Sequence, residues 1–182
     1  NHSKGPRYQF PTSNFIFSGG NGKRDYACLI DAVRDTDIPV VISTTAPEVK
    51  SGIERIPNVI VLSASEPAFA QLQAASRFVV LPMTHTGLKG GGEANFCNAM
   101  WHGKPIIAAD SIAASEYILE GVTGHIVPSG DARLLRQRIL ELWDDAEKAE
   151  TMGQAAMRHV EDHFTHVAFI RRLLRLALIL GR

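Results

Sequence analysis

Short apolar runs rich in β-branched residues alternate with helical stretches along most of the sequence, and this alternation constrains the fold more than any other feature. The runs that predict strands are Asn14–Ser18, Pro39–Ser43, Val59–Leu62, Phe78–Leu81, Ile106–Ala109 and His125–Val127. Most of them are apolar on both faces, as strands of a parallel sheet are when helices cover its two sides. The pattern therefore predicts an α/β fold with a doubly wound parallel sheet.

Helical stretches occupy the intervals between these runs, and helices alone follow the last of them. The predicted helices are Tyr26–Val33, Ala68–Ala75, Asn95–His102, Ser115–Leu119, Ala132–Trp143, Lys148–His163 and Val167–Leu180. Glu66-Pro67 marks the start of the second helix, and Ser129-Gly130-Asp131 caps the fifth. We expect an arm or linker over residues 1–13, one domain over residues 14–164 and a C-terminal helix over residues 165–182.

The balance of charges limits what the protein can bind. Its 182 residues include 19 Lys+Arg and 19 Asp+Glu, which argues against nucleic acid as the main ligand because phosphate neutralisation needs a surplus of cations. Cys28 and Cys97 stand far apart without zinc-ligand spacing. The sequence has no run of about 18 apolar residues and no signal-peptide pattern, so we expect a reduced, cytoplasmic protein without a membrane span.

Two glycine-rich loops follow predicted strands, at the edge where a doubly wound sheet binds its ligands. The first loop follows the first strand, and its candidate binding residues are Gly19, Gly20, Lys23 and Arg24. The second loop follows the fourth strand, and its candidate binding residues are Gly90, Gly91, Gly92 and Glu93. Glycines let backbone N–H groups approach a phosphate closely, and the N-terminus of the helix after the second loop adds partial positive charge.

Together the two loops indicate a nucleotide diphosphate as the ligand, since Lys23 and Arg24 offer cationic donors across the same crevice. Neither loop has the Walker A spacing or the Gly-x-Gly-x-x-Gly spacing, which disfavours ATP hydrolases and NAD dehydrogenases. A plainer interpretation stays open, in which the glycines only form tight turns and both cations are solvated.

The stretch from Asn98 to Asp110 is the most distinctive motif of the chain, and it reads Asn-Ala-Met-Trp-His-Gly-Lys-Pro-Ile-Ile-Ala-Ala-Asp. Further segments flank it, namely Phe17–Gly20 with Arg24-Asp25 upstream, and Ser115–Ile118, Glu120–Pro128 and Met152-Gly153 downstream. These segments resemble the C-terminal, donor-binding domain of glycosyltransferases of group 1, or family 4, which have the two-domain GT-B architecture. The resemblance covers about Phe15 to Phe164 and implies a Rossmann-like fold.

The resemblance implies that the protein binds a UDP- or GDP-sugar, with Lys23 and Arg24 near the diphosphate and with no metal or further cofactor. The sugar would pass to a glycan, lipid-linked or small-molecule acceptor, as in polysaccharide biosynthesis. In such relatives two glutamates separated by seven residues contact the donor sugar and the ribose. Here Gly90 and Asn98 hold those positions. Asn98 can bind a ribose hydroxyl through its amide, and Glu93 is the carboxylate nearest to the missing glutamate. Because the usual glutamate pair is absent, the catalytic group stays unassigned.

The resemblance also implies a partner for the C-terminal helix. In the family the final helices cross back to an N-terminal domain, which this sequence lacks, so we expect residues 165–182 to pack on that domain. Without it, the apolar stripe of Phe169–Leu180 would pair with a second copy or lie on an anionic membrane surface, on the inner face of the membrane.

Alternative interpretations remain for several residues and for the whole domain. Asn98 and Glu116 are also typical of helix starts, where they bond free N–H groups or complement the helix dipole. His159, His163 and His166 lie near one helical face without the His-Glu-x-x-His spacing, so we expect no metal there. For the whole domain the alternatives are half of a nucleotide-sugar epimerase, a non-catalytic regulatory domain with the same fold, and a flavodoxin-like regulator.

Overall fold

The computed structural model describes residues 14–46, 49, 56–84 and 92–180. Within these residues six strands form one sheet, and every pairing between neighbours is parallel. The strands are β1 Ile16–Gly19, β2 Val40–Ser43, β3 Val59–Leu62, β4 Phe78–Leu81, β5 Ile106–Ala109 and β6 Gly124–Val127. The prediction of a doubly wound parallel sheet is confirmed, and each predicted strand lies within two residues of the observed one.

Helices follow the strands as the alternation predicts, and a run of helices closes the chain. They are α1 Tyr26–Val33, α2 Glu66–Ala75, α3 Glu93–Trp101, α4 Ile112–Tyr117, α5 Ala132–Asp144, α6 Ala146–His163 and α7 His166–Leu180. The predicted bounds Ser115–Leu119 are wrong for α4, because the Ser111 side chain accepts a hydrogen bond from the N–H of Ala114 and caps the helix further upstream. Beyond α4, Ile118 is already extended.

The strand order is β3-β2-β1-β4-β5-β6, so the direction of winding reverses between β1 and β4. This order is that of a Rossmann-like sheet and differs from the flavodoxin-like order, which excludes the flavodoxin-like alternative as a description of the fold. The loop that follows β1 and the residues Pro82–Thr84 directly after β4 meet at the reversal point, where doubly wound sheets open a crevice for ligands.

Two apolar layers cover the sheet, and β1 shows how the sequence assigns residues to them. Ile16 points to the layer formed with α1 and α5, where Leu29 and Leu135 are buried. Phe15 and Phe17 point to the opposite layer, where they pack with Phe96 of α3. Successive residues of a strand face opposite sides, so three consecutive apolar residues serve both layers.

The helix α7 differs from the others because most of its apolar side chains are exposed. Ala168 in its first turn is buried, whereas Val167 is 61% exposed and Leu178 is 72% exposed. Further exposed apolar side chains of α7 are Phe169, Ile170, Leu173, Leu174, Leu176 and Ile179. Across the part of the chain that the structure describes, no helix is both long and apolar enough to cross a membrane.

Candidate functional site

The loop after β1 is held in shape by Arg24, whose side chain folds back over it. The Nε of Arg24 donates to the carbonyl oxygen of Gly19 over 3.1 Å, and Nη1 donates to that of Gly22 over 3.0 Å. The Tyr26 hydroxyl donates to the Gly20 carbonyl oxygen over 2.6 Å. Burial raises the pKa of Tyr26 to about 12, so the hydroxyl keeps its proton and remains a donor at neutral pH.

The loop after β1 is joined to the residues after β4 by main-chain hydrogen bonds. The N–H of Asp25 donates to the Pro82 carbonyl over 2.7 Å, and the N–H of Thr84 donates to the Lys23 carbonyl over 2.9 Å. Asp25 also caps α1 through the N–H of Cys28, over 2.9 Å. Arg24 is thereby fixed between two strand ends rather than carried on a free loop.

Arg24 also lies against the start of α3, which borders the crevice. Gly92 forms the N-cap of α3 with a φ of +94°, a left-handed conformation that favours glycine, and no side chain caps the helix. A Cβ at Gly92 would lie 3.3 Å from Nη2 of Arg24. Among the described residues, Nη2 makes no hydrogen bond. A cationic donor therefore stands beside the free N–H groups of a helix start, an arrangement that binds anions.

The environment of Arg24 strengthens this conclusion about charge. Burial lowers the pKa of the guanidinium, and the nearby Tyr26 hydroxyl and Glu93 carboxylate oppose that shift. Arginine stays protonated in proteins, so a partly desolvated positive charge remains in the crevice. An anion that enters would offset this desolvation.

The other predicted binding residues differ in their backbone conformation and in the exposure of their side chains. Gly19 ends β1, and Gly20 follows it with a φ of +122°. Lys23 has a left-handed backbone with a φ of +54°, and its side chain is exposed. Glu93 is the first residue of α3 and is also exposed. The predicted residues Gly90 and Gly91 lie outside the described residues.

Asn98 and Glu116 do not have the helix-start roles that were the alternatives for them. Because α3 begins at Glu93 and not at Asn95, Asn98 lies beyond the first turn, with an exposed side chain. Glu116 is exposed near the end of α4, and Ser111 is the residue that caps that helix. The helix-start interpretation is wrong for both residues, and the ribose contact of Asn98 stays a prediction.

Two contributors to the crevice were missed in the sequence. Asn21 accepts hydrogen bonds at its Oδ1 from the Thr44 hydroxyl over 3.0 Å and from the N–H of Thr45 over 2.7 Å, which ties the first loop to the end of β2. Tyr26 is the second, since its hydroxyl donates to the Gly20 carbonyl. The signal for Asn21 was its place between Gly20 and Gly22, since a short amide among glycines bonds nearby backbone.

The histidines near the end of α6 are close together. The rings of His159 and His163 lie 4.8 Å apart between centroids, and burial lowers the pKa of His159. Of the residues that the structure describes, no group of three or more His, Cys, Asp or Glu residues is arranged to hold a metal ion.

Comparison with known proteins decides the family. Residues 27–145 match the family model described as Glycosyl transferases group 1. The chain belongs to this family. It is 32% identical over 145 residues to the D-rhamnosyltransferase WbpZ of Pseudomonas aeruginosa, an alignment that covers 75% of this chain and 37% of the relative. The chain therefore spans little more than a third of the length of this curated relative.

Solved structures share the fold. The HepE protein of Anabaena in complex with UDP superposes with a TM-score of 0.77 at 20% identity, over 91% of this chain and 48% of that one. The C-terminal domain of the group 1 protein LpcC of Francisella tularensis superposes with a TM-score of 0.70 at 15% identity, over 85% of this chain and 88% of that one. The predicted family and the predicted Rossmann-like fold of a GT-B C-terminal half are both confirmed.

Proposed function

We propose that this chain is the donor-binding half of a group 1 glycosyltransferase and that it binds a UDP- or GDP-sugar. The observation that carries the proposal is the position of Arg24 at the reversal point of the sheet. Its Nη2 has no hydrogen-bond partner among the described residues and lies beside the uncapped start of α3. The structure of HepE with UDP supports it, since that protein binds a nucleoside diphosphate on the same fold. The whole enzyme would pass the sugar to a glycan, lipid-linked or small-molecule acceptor.

The chemistry follows from the charge of the leaving group. During transfer the bond between the anomeric carbon and the β-phosphate oxygen breaks, its electron pair stays on the nucleoside diphosphate, and the acceptor oxygen bonds to the anomeric carbon. The departing diphosphate gains negative charge, which Arg24 and the N–H groups at the start of α3 stabilise. The acceptor hydroxyl loses its proton to a base that the described residues do not identify.

Arg24 is suited to this role because its orientation is fixed before any ligand binds. Two of its nitrogens already bond the carbonyls of Gly19 and Gly22, so the guanidinium does not have to be ordered on binding. Groups that are oriented in advance stabilise developing charge more effectively than groups that must reorganise.

Lys23, Glu93 and Asn98 complete the proposed donor site. The exposed ammonium of Lys23 would reach the diphosphate from the solvent side, and the amide of Asn98 would bond the ribose. Glu93 supplies a carboxylate for sugar hydroxyls beside Arg24. Asn98 is neutral where relatives carry a charged glutamate. This difference favours a second candidate function, a domain that binds the donor without catalysing transfer. Transfer by the whole enzyme, with acceptor present, would exclude that candidate.

We also propose that the exposed apolar face of α7 packs on an N-terminal domain of the whole enzyme. Among the described side chains of this helix eight apolar ones are exposed, a larger apolar surface than isolated surface residues account for. In the chain by itself this surface would pair with a second copy or rest on an anionic membrane.

The experiment that tests the proposed function is calorimetric titration of the protein with UDP, GDP and ADP, and with their sugar conjugates, without added metal. We expect saturable micromolar binding of one diphosphate nucleotide. Arg24→Ala should weaken it by about 10- to 100-fold, since a hydrogen bond to a charged group contributes about 1.5–3 kcal/mol. Arg133→Ala, at an exposed arginine of α5, is the matched control. No binding to any of these nucleotides would contradict the proposal.

A further inference from the structure

We infer that Gln73, a buried residue of α2, positions the first turn of α3 so that its N–H groups face the nucleotide diphosphate. The inference rests on the proposed function, because it concerns how the proposed phosphate site is held. Gln73 is 0% exposed, and its Nε2 donates to the carbonyl oxygen of Asn95 over 3.1 Å. Asn95 is the third residue of α3 and lies in the turn that begins the helix.

This contact supports α3 in an unusual way. The helix starts at Gly92 without a capping side chain. Within the described residues the N–H groups of Glu93 and Ala94 have no partner, whereas those of Asn95 and Phe96 donate to the Gly92 carbonyl. No local side chain fixes this turn. Gln73 fixes the same turn from its carbonyl side. Because the bond goes to an oxygen and not to an N–H group, it holds the helix start in place and leaves the N–H groups of Glu93 and Ala94 available to a ligand.

The polar end of Gln73 is costly where it lies, which indicates that packing alone does not explain it. Within the described ranges its Oε1 is buried and has no hydrogen-bond partner. A methionine of similar shape would fill the same space without an unsatisfied acceptor. Asn95 would not be left unsatisfied either, since the carbonyl of a residue in this position also accepts a bond from the N–H four residues later.

The same face of α2 also supports the loop after β1. Phe69 lies one turn before Gln73, and its ring packs edge-on against Phe17 with centroids 4.9 Å apart. That ring occupies the space beside Gly19, where an added Cβ would lie 2.3 Å from it. One face of α2 therefore supports Gly19, which Arg24 bonds, through Phe69, and supports the start of α3 through Gln73. It sets the position of the two groups that would hold the diphosphate.

The test compares Gln73→Met and Gln73→Leu with Gln71→Met, a matched control at an exposed position of the same helix. We expect both Gln73 variants to melt at or above the temperature of the parent protein, but to bind UDP or GDP about fivefold more weakly. Amide hydrogen exchange should become faster at Asn95 and Phe96, and should not change at Met100. Gln71→Met should change neither the melting temperature nor the affinity.

Three results would overturn the inference. The first is unchanged nucleotide affinity in both Gln73 variants. The second is a melting temperature that falls together with the affinity, or failure of both variants to fold, because Gln73 would then be needed for stability and not for position. The third is unchanged hydrogen exchange at the start of α3. Absence of binding by the parent protein would instead contradict the proposed function, and the exchange experiment would still test the role of Gln73.

Discussion

The crevice between β1 and β4 and the helix α7 are both exposed to solvent, yet their side chains are held in different ways. In the crevice, Arg24, Tyr26 and Asn21 each bond a defined backbone atom, so these side chains are oriented without a ligand. Along α7 most exposed side chains are apolar, and among its described residues Ala168 in the first turn is the buried one. The difference teaches that the described part of the crevice is ordered by its own hydrogen bonds, whereas most apolar side chains of α7 are left uncovered by the described residues.

The largest effect should come from a methyl group added at the end of β1. Gly19→Ala would place a Cβ 2.3 Å from the Phe69 ring, which itself packs on Phe17. We expect a loss of about 1–3 kcal/mol in the free energy of unfolding, since overpacking forces side chains and backbone to move. Nucleotide binding should weaken as well, because Arg24 bonds the carbonyl of Gly19. Chemical denaturation and calorimetry measure the two effects.

Gly22→Ala is the matched control for that variant, because an added Cβ there meets no atom within 4 Å. It should keep the parent stability within about 0.5 kcal/mol. If Gly19→Ala were as stable as Gly22→Ala, the crevice would be more deformable than its contacts indicate.

A double variant on α7 tests whether its apolar surface acts independently of the crevice. Leu173 and Leu176 are both about half exposed on α7, so replacing them together by glutamine should leave stability within about 0.5 kcal/mol of the parent. We expect the parent protein to dimerise as its concentration rises, and the double variant to do so much less. Sedimentation velocity over a range of concentrations measures this, and nucleotide affinity should not change. A dimer that persists in the double variant would show that α7 is not the contact.

The smallest effect should come from a charge cluster that belongs to neither region. Hydrogen bonds from Lys148 and Arg138 lower the pKa of Glu141 to about 2. A carboxylate with a lowered pKa stabilises the folded state above its ordinary pKa, and this contribution is lost as the pH falls from about 4.5 towards 2. Because Glu141 and its two cationic partners are partly exposed, we expect the cluster to contribute no more than about 1 kcal/mol to the free energy of unfolding.

Glu141→Gln should therefore be less stable than the parent at pH 7, and the two should converge as the pH falls towards 2. Denaturation at several pH values measures the convergence. Glu147→Gln, at an exposed carboxylate of α6, should follow the parent curve. A difference between Glu141→Gln and the parent that stays constant with pH would contradict this account of the cluster.

The fold could be predicted from the sequence because its signals are local. Each strand is a short apolar run, and the alternation with helices predicts a parallel sheet whose strands β1 and β4 end at the same edge. The error at α4 arose because Ser111, and not a residue near Ser115, accepts the capping bond. The error of two residues at the start of α3 then gave Asn98 a helix-start role that its place beyond the first turn does not allow.

The details of the site could be predicted only in part, because they depend on contacts between distant residues. The places of Gly19 at the end of β1, of Gly20 and Arg24 after it, and of Glu93 near the start of α3 followed from the order of strands and helices, and their binding roles stay predictions. The support of α3 by Gln73 joins residues that are 22 positions apart, and the bond from Thr44 to Asn21 joins residues 23 positions apart. Neither pair has a pattern in the sequence, since the partners come together only when the sheet is assembled.

The central claim is that a nucleotide diphosphate binds between Arg24 and the start of α3. Its most direct test is an NMR titration of the protein with UDP and with GDP, in which the backbone amide signals and the Arg24 Nε signal are followed. The account predicts saturable shifts that are largest at Gly20, Glu93, Ala94 and the Arg24 side chain. Saturable binding that leaves these signals in place and shifts residues elsewhere would contradict it.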